Sequence, residues 1–369
     1  MSLPKYARRC HRFFALTLVL TAGYSTMDVV RVGVVGSGFM GRTYAECLKR
    51  YVTGGQLVAV HGGSRASQLA QDYEVEAIDG YQEMLARNDI HAVLIATPQM
   101  HHLQQVTQAA AAGKHVLVEK PMGLNRDECQ AMVQACRDAG VKLSVIQTWR
   151  FRGTVARGKK LIDEGRIGDV RMIQLRTIFP TIALSGKAWI EQSRSGGMIL
   201  DQGSHNFDFL RYYSGSEAAH VFGRIKDYGK NSYAFPSAMA QVEFQNGVMG
   251  QTWMTFELPK PGVANSAFRA LVVGSTGMLD IDGYGQLNVA LDGKPWELFW
   301  EQPAIDFQNK PLGPSRLEAF FTQVQDFVDS IREDRPPAVT GEDGLAAIEL
   351  IDAVRRSSET GQSIEMTAR

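Results

Sequence analysis

The chain has 369 residues, 44% hydrophobic and 21% charged, which is ordinary for a globular protein and long enough for two domains with separate cores. Lysine plus arginine equals aspartate plus glutamate at 39 each, so no charge footprint points to nucleic acid or to an anionic membrane. The four cysteines, Cys10, Cys47, Cys129 and Cys136, form no C-x-x-C pair. Cys129 and Cys136 fall two turns apart on one predicted helix, too far to bridge. They read as small buried hydrophobes, with no disulfide framework and no metal site.

Residues 1–26 stand apart. Lys5, Arg8, Arg9 and Arg12 precede a short apolar run, Phe13 to Ala22, and then Gly23-Tyr24-Ser25. That is signal-peptide anatomy, too short to span a bilayer. Met27 stands just before the first strand, so the extension also reads as a misplaced start. The second reading is favoured and gives a cytoplasmic protein; a true signal would give an exported one.

From Met27 the pattern is alternating. Val29 to Val35 is nearly all apolar, as a strand buried on both faces should be. Arg42 to Tyr51 follows as a helix and Leu57 to Val60 as a strand. Ser64 is placed to cap a helix from Ala66 to Tyr73. Tyr81 to Arg87 is a short helix, His91 to Ala96 a strand, and Leu103 to Ala112 a helix stopped by Gly113. Val116 to Val118 is a strand. Asn125 caps a helix to Ala139, and Val141 to Ile146 closes the set. Strands alternating with helices of this length predict a parallel sheet built from right-handed βαβ units, over residues 27–148.

The rhythm changes after Gln147. Thr154 to Glu164 reads as a helix. Strand-like runs follow at Val170 to Phe179, His220 to Ile225, Ala238 to Phe244, Val248 to Phe256, Phe268 to Val273 and Met278 to Ile281. Asn246-Gly247 marks a hairpin and Gly274 to Gly277 another turn. Helices are predicted at Arg316 to Arg332 and Gly344 to Ser357. Residues 149–369 thus read as a second, α+β domain with a large, mostly antiparallel sheet.

Three strings carry chemistry. The first is Gly36-Ser37-Gly38-Phe39-Met40-Gly41, between a strand and a helix. Gly36 allows the tight turn, Gly38 lets a pyrophosphate approach the backbone, and Gly41 lets the helix pack on the strand, a dinucleotide fingerprint. The second strand ends in His61-Gly62-Gly63-Ser64-Arg65. An acid there would bind the ribose 2′-hydroxyl of NAD; Ser64 and Arg65 suit a 2′-phosphate instead, so NADP is favoured over NAD. Thr97, Pro98 and His102 follow another strand and are expected to line the same cleft.

The second string is Glu119-Lys120-Pro121, at the carboxyl end of a predicted parallel strand. Ligands bind there in open α/β sheets. The Lys120 ammonium can meet a nicotinamide and stabilise a developing alkoxide. The third string runs from Gly196-Gly197 to Asp201-Gln202-Gly203-Ser204-His205. A helix starting at Gly203 or Ser204 would leave Asp201 and His205 four apart across its entry. His205 has the pKa of a base for a hydroxyl proton, and Asp201 can orient it or bind a second hydroxyl. Arg150 and Trp189 are further candidates for cofactor contact, with an interdomain salt bridge and a core tryptophan as the plainer alternatives.

With these strings in this order, the chain resembles the glucose–fructose oxidoreductase, inositol dehydrogenase and rhizopine-catabolism (Gfo/Idh/MocA) family. The resemblance covers Val29 to Tyr213 by motif and the remainder by fold pattern. It implies a Rossmann domain plus an open-faced α/β domain whose sheet serves homo-oligomer contacts. It also implies sugar or cyclitol substrates, and catalytic roles for Lys120, Asp201 and His205. The missing acid after the second strand departs from the NAD pattern. The expected activity is hydride transfer between NAD(P) and a sugar-like polyol. A redox-neutral glycosidase or epimerase and a nucleotide-sensing regulator are the competing expectations.

Overall fold

The computed structural model describes residues 28–180, 197–228, 237–259, 261–263 and 267–367. The N-terminal extension, Trp189 and most of the two loops at 179–194 and 228–236 lie outside them.

The first half is a six-stranded parallel sheet. Its strands are β1 (Val30–Val35), β2 (Gly55–His61), β3 (Glu76–Ile78), β4 (Ala92–Ile95), β5 (His115–Val118) and β6 (Leu143–Val145), in the order β3-β2-β1-β4-β5-β6. The connecting helices are α1 (Phe39–Arg50), α2 (Ala66–Tyr73), α3 (Tyr81–Ala86), α4 (His102–Ala111) and α5 (Arg126–Asp138). Strand order reverses between β1 and β4, and the loops leaving their carboxyl ends open the crevice where such sheets take ligands. Helix α1 starts at Phe39, so the glycine loop runs straight into it. Asn125 caps α5 as expected, accepting from the Glu128 N–H at 2.9 Å. Ser64 does not cap α2, whose N-cap position is Arg65 with no side-chain bond.

A turn at Thr148–Phe151 leads to α6 (Gly153–Asp163) and β7 (Val170–Pro180). Then come α7 (Gly197–Ser214), β8 (Ala218–Lys226), β9 (Ser237–Phe244), β10 (Met249–Leu258), β11 (Phe268–Gly274), β12 (Gly277–Asp282), β13 (Gln286–Leu291) and β14 (Glu297–Glu301). Helices α8 (Pro314–Arg332) and α9 (Gly341–Thr360) and the short β15 (Ile364–Glu365) complete the chain. These strands form a nine-stranded sheet, β14-β13-β12-β11-β7-β10-β9-β8-β15, in which only β7 and β10 pair in parallel. One face packs on α6, α7 and α9. On the other, Met172, Phe222, Met239, Met249 and Trp253 are exposed and brought onto one side by the strand register.

Helix α8 packs both on the Thr148–Phe151 turn and on α1, placing Leu317, Val324, Phe327 and Val328 in one cluster with Val32, Val34, Tyr44 and Leu48. The parallel sheet needs cover on both faces, and the chain supplies part of it from α8, far along the sequence, where contact leaves no local signal. No described helix is long and apolar enough to cross a membrane.

Candidate active site

The glycine loop is built as its residue types require. Gly36 has φ +109°, and an added Cβ would sit 2.7 Å from the Ala96 carbonyl oxygen. At Gly41 the same atom would lie 1.8 Å from the Gly36 oxygen. Gly38 is different, since a Cβ there would meet only the Arg65 guanidinium, at 3.9 Å. Its bareness leaves open space over the first turn of α1, which has no side-chain cap. Unbonded N–H groups and the positive end of the helix dipole therefore face an open cradle, which fits a pyrophosphate. At the end of β2, His61 turns inward, its Nδ1 donating to the Ile78 carbonyl at 2.9 Å and its ring stacking on Tyr81. Ser64 and Arg65 are exposed beside the loop, and the Arg65 N–H donates to Ser37 Oγ at 3.2 Å.

Two residues expected in the cleft are held inside the protein. The His102 ring is buried, with Nδ1 at 3.1 and 3.2 Å from the Pro121 and Met122 carbonyls and Nε2 at 2.9 Å from that of Thr97. It staples the loop after β4 to the loop after β5. Thr97 donates its hydroxyl to Gln105 and is half-buried, while Pro98 is exposed. Glu119 is also buried; it accepts from the Tyr44 hydroxyl and, at 2.9 Å, from the Lys120 N–H. Burial raises its pKa against the pull of Lys120. His102 and Glu119 thus set the path of the strand-end loops and hold Lys120 in place.

The third string is helical from Gly197 on. Because α7 begins at Gly197, Asp201 and His205 lie one turn apart on the same face of one helix. Lys120 Nζ reaches that face, 2.5 Å from Asp201 Oδ1 and 3.4 Å from its carbonyl oxygen. The carboxylate is therefore bound to the ammonium; the sequence reading has it orient the imidazole or bind a second hydroxyl.

His205 is oriented by Gln147, which sequence reasoning passed over. Gln147 donates its Nε2 to the Ser204 carbonyl at 3.1 Å, which turns its Oε1 toward His205 Nδ1 at 2.8 Å. Nδ1 must then carry the proton, leaving Nε2 as a lone-pair acceptor. Among the described residues nothing else bonds to the ring. Gln147 is itself fixed, its N–H donating to Gln323 Oε1 at 2.9 Å while Gln323 donates to the Val145 carbonyl at 2.7 Å. Trp149 stacks on the imidazole at 4.8 Å. Burial, followed by the charges of Lys120 and Arg152, pushes the His205 pKa well below the ordinary value, so the ring is neutral at neutral pH. Asn206 ties the helix to the sheet through Thr177 and Thr252, donating at 2.9 and 2.7 Å.

Arg150 goes elsewhere. Its Nε and Nη2 grip both oxygens of Asp208 at 2.9 and 2.6 Å, and Nη2 lies 3.1 Å from Asp343. These partners all lie within residues 149–369, so the bridge joins parts of the second domain, and it engages each nitrogen of the guanidinium.

Residues 30–147 match the family described as "Oxidoreductase family, NAD-binding Rossmann fold", and residues 159–366 match "Oxidoreductase family, C-terminal alpha/beta domain". The scyllo-inositol 2-dehydrogenase (NAD(+)) of Bacillus subtilis is 28% identical over 352 residues, 92% of this chain and 97% of that protein. The 1-carboxy-3-chloro-3,4-dihydroxycyclohexa-1,5-diene dehydrogenase of Comamonas testosteroni is 32% identical over 225 residues, 59% of this chain and 56% of that protein. The crystal structure of scyllo-inositol dehydrogenase from Lactobacillus casei with bound NAD(H) and scyllo-inositol superimposes with a TM-score of 0.75 at 23% identity, covering 91% of this chain and 99% of that one. With the glycine cradle, the lysine after β5 and the Asp–His turn of α7 all in place, the chain belongs to the Gfo/Idh/MocA family of oxidoreductases.

Proposed function

We propose that this protein oxidises or reduces a secondary alcohol carbon of a sugar-like or cyclitol substrate, with NADP preferred over NAD. The observation that carries the reading is the convergence of Lys120, Asp201 and a neutral His205 at the carboxyl edge of the parallel sheet, beside the dinucleotide cradle. Gly36, Gly38, Gly41 and the start of α1 would hold the pyrophosphate. When bound, the nicotinamide supplies the hydride acceptor or donor. Lys120 donates to the substrate oxygen and stabilises the charge that develops on it. His205 Nε2 takes the hydroxyl proton in the oxidative direction, and its pKa lets it do so without first losing a proton of its own. Asp201 holds the ammonium, and Gln147 holds the imidazole tautomer.

The NADP preference rests on the turn after β2, where Arg65 and Ser64 stand exposed and no carboxylate is present. The relatives named as cyclitol and cyclohexadiene-diol dehydrogenases support a ring polyol as substrate. The exposed apolar row Met172, Met239, Met249 and Trp253 supports a homo-oligomer joined through the open sheet face. A cytoplasmic site of action is the accompanying expectation. The test is a panel of sugars and cyclitols with each cofactor, followed by NAD(P)H absorbance. Arg65→Ala should raise the KM for NADP by about tenfold, the worth of one charge-assisted bond, and leave that for NAD unchanged. Equal use of both cofactors by wild type and variant would remove the preference. Product without net cofactor reduction would favour a redox-neutral reaction.

A further inference from the structure

We propose that Arg152 holds an anionic group of the substrate, a carboxylate borne by the same ring or chain as the reacting hydroxyl. The inference rests on the oxidoreductase reading above and narrows its substrate class from neutral polyols to sugar acids and carboxylated cyclitols.

Arg152 lies between the Thr148–Phe151 turn and α6, and it is 5% exposed. Its Nε is buried with no hydrogen-bond partner among the described residues. No described carboxylate pairs with the guanidinium, which lies over the Tyr284 ring at 4.2 Å. A ring face recovers only part of the cost of burying a cation. Arg150, two residues earlier, shows how this protein otherwise buries a guanidinium, with two aspartates around it.

The place of Arg152 ties it to the reacting centre. His205 stacks on Trp149, Trp149 on Phe268 at 3.9 Å, and Phe268 meets Tyr284 edge-on at 6.2 Å. Arg152 caps the far end of that aromatic wall, close enough that its charge bears on the His205 ring. The acids nearby are committed, Asp201 to Lys120 and Glu119 to Tyr44 and a backbone N–H. Arg316 adds a second buried cation with neutral partners, the Pro311 carbonyl at 2.8 Å and the rings of Phe39 and Phe320. The chain is neutral overall, but these two guanidiniums have no carboxylate partner among the described residues. Arg316, over Phe39 of the glycine loop, sits at the phosphate end of the cleft. The Arg152 charge bears on Arg316 as well as on the His205 ring, and its place on the aromatic wall that starts at that ring assigns its anion to the substrate.

The experiment pairs each neutral probe with its acid, D-glucose with D-glucuronate and myo-inositol with quinate. Thermal shift and steady-state kinetics are measured for wild type, Arg152→Met and Arg152→Lys. The acids should raise the wild-type Tm and the neutral probes should not. Arg152→Met should lose the shift and about 100-fold in kcat/KM for an acid, as expected for a charge-assisted bidentate contact, with Arg152→Lys between the two. Without ligand, Arg152→Met should be no less stable than wild type, because it removes an uncompensated charge. Acid binding that survives Arg152→Met overturns the proposal. So does a loss confined to NADP affinity, which reassigns the anion to the cofactor phosphates. Turnover of the neutral probes alone sinks this proposal and spares the oxidoreductase reading; a shift by the acids with no hydride transfer under either cofactor does the reverse.

Discussion

Along α7, Asp201 and His205 face Lys120; Asp208 and Arg211, less than two turns further on, face Arg150 and Asp343. The two clusters share a helix and similar residue types, but they are finished differently. In the second, Arg150 binds both oxygens of Asp208, Arg211 bridges Glu217 and Asp343, and Asp343 also closes the capping box of α9 with Thr340. Burial would raise the Asp343 pKa, but Arg150, the Thr340 N–H and Arg211 outweigh it and bring it down to about 2. In the first cluster, His205 Nε2 is left unbonded by the described residues, and Lys120 has one carboxylate for three donors. A structural network completes its hydrogen bonds, whereas a reacting one keeps an acceptor and a donor for the substrate. On the proposed function, this difference is what separates the two similar charge groups.

The comparison can be broken by exchanging the phenotypes. Lys120→Ala should lower kcat by about a thousandfold, the scale of losing an oxyanion donor, with a small change in Tm. Near-normal turnover would dissolve the distinction from the Lys120 side. Asp208→Asn should do the opposite, costing about 3–5 kcal/mol of stability in chemical denaturation because Arg150 loses its main counter-charge. Its kcat per folded molecule should stay within a few-fold of wild type, and a selective loss of kcat would place the second cluster in the chemistry. Gln147 sharpens the contrast on a smaller scale. Gln147→Leu should lower kcat by about tenfold by releasing the tautomer. In wild type, oxidation needs neutral His205, so its rate should be flat above the ordinary histidine range and fall only below it. Gln147→Glu puts a carboxylate beside Nδ1, raises the His205 pKa, and should move that acid limb upward by about one pH unit. An unmoved limb in a folded, active Gln147→Glu variant would mean that another group is the base.

What could be read early was local. The glycine loop, the capping of α5 by Asn125 and the apolar strands of the parallel sheet each show their cause within a few residues. Other elements hid for identifiable reasons. Gly203 weakened the case for a helix at Asp201, but it is tolerated inside α7 because Ile351 packs closely there, within 3.1 Å of where a Cβ would sit. β14 is mostly exposed and carries no alternation to reveal it. The Asp292-Gly293 turn before it, left-handed at both residues, was a readable hairpin signal that went unused. Gln147 shows nothing in the sequence, because its partners Gln323 and His205 come from helices far along the chain.

The order of strand, glycine turn and helix was determined by the sequence alone, because backbone geometry sets it over a few residues; the one-turn spacing of Asp201 and His205 waited on the helix that starts at Gly197. Trp149-Arg150-Phe151-Arg152 marks the limit of that legibility. Its two arginines are equivalent on paper, yet one closes on a pair of aspartates and the other faces an aromatic wall with no acid beside it. Only the tertiary structure decided between them, since the charge that surrounds a side chain is set by residues that folding brings in from elsewhere.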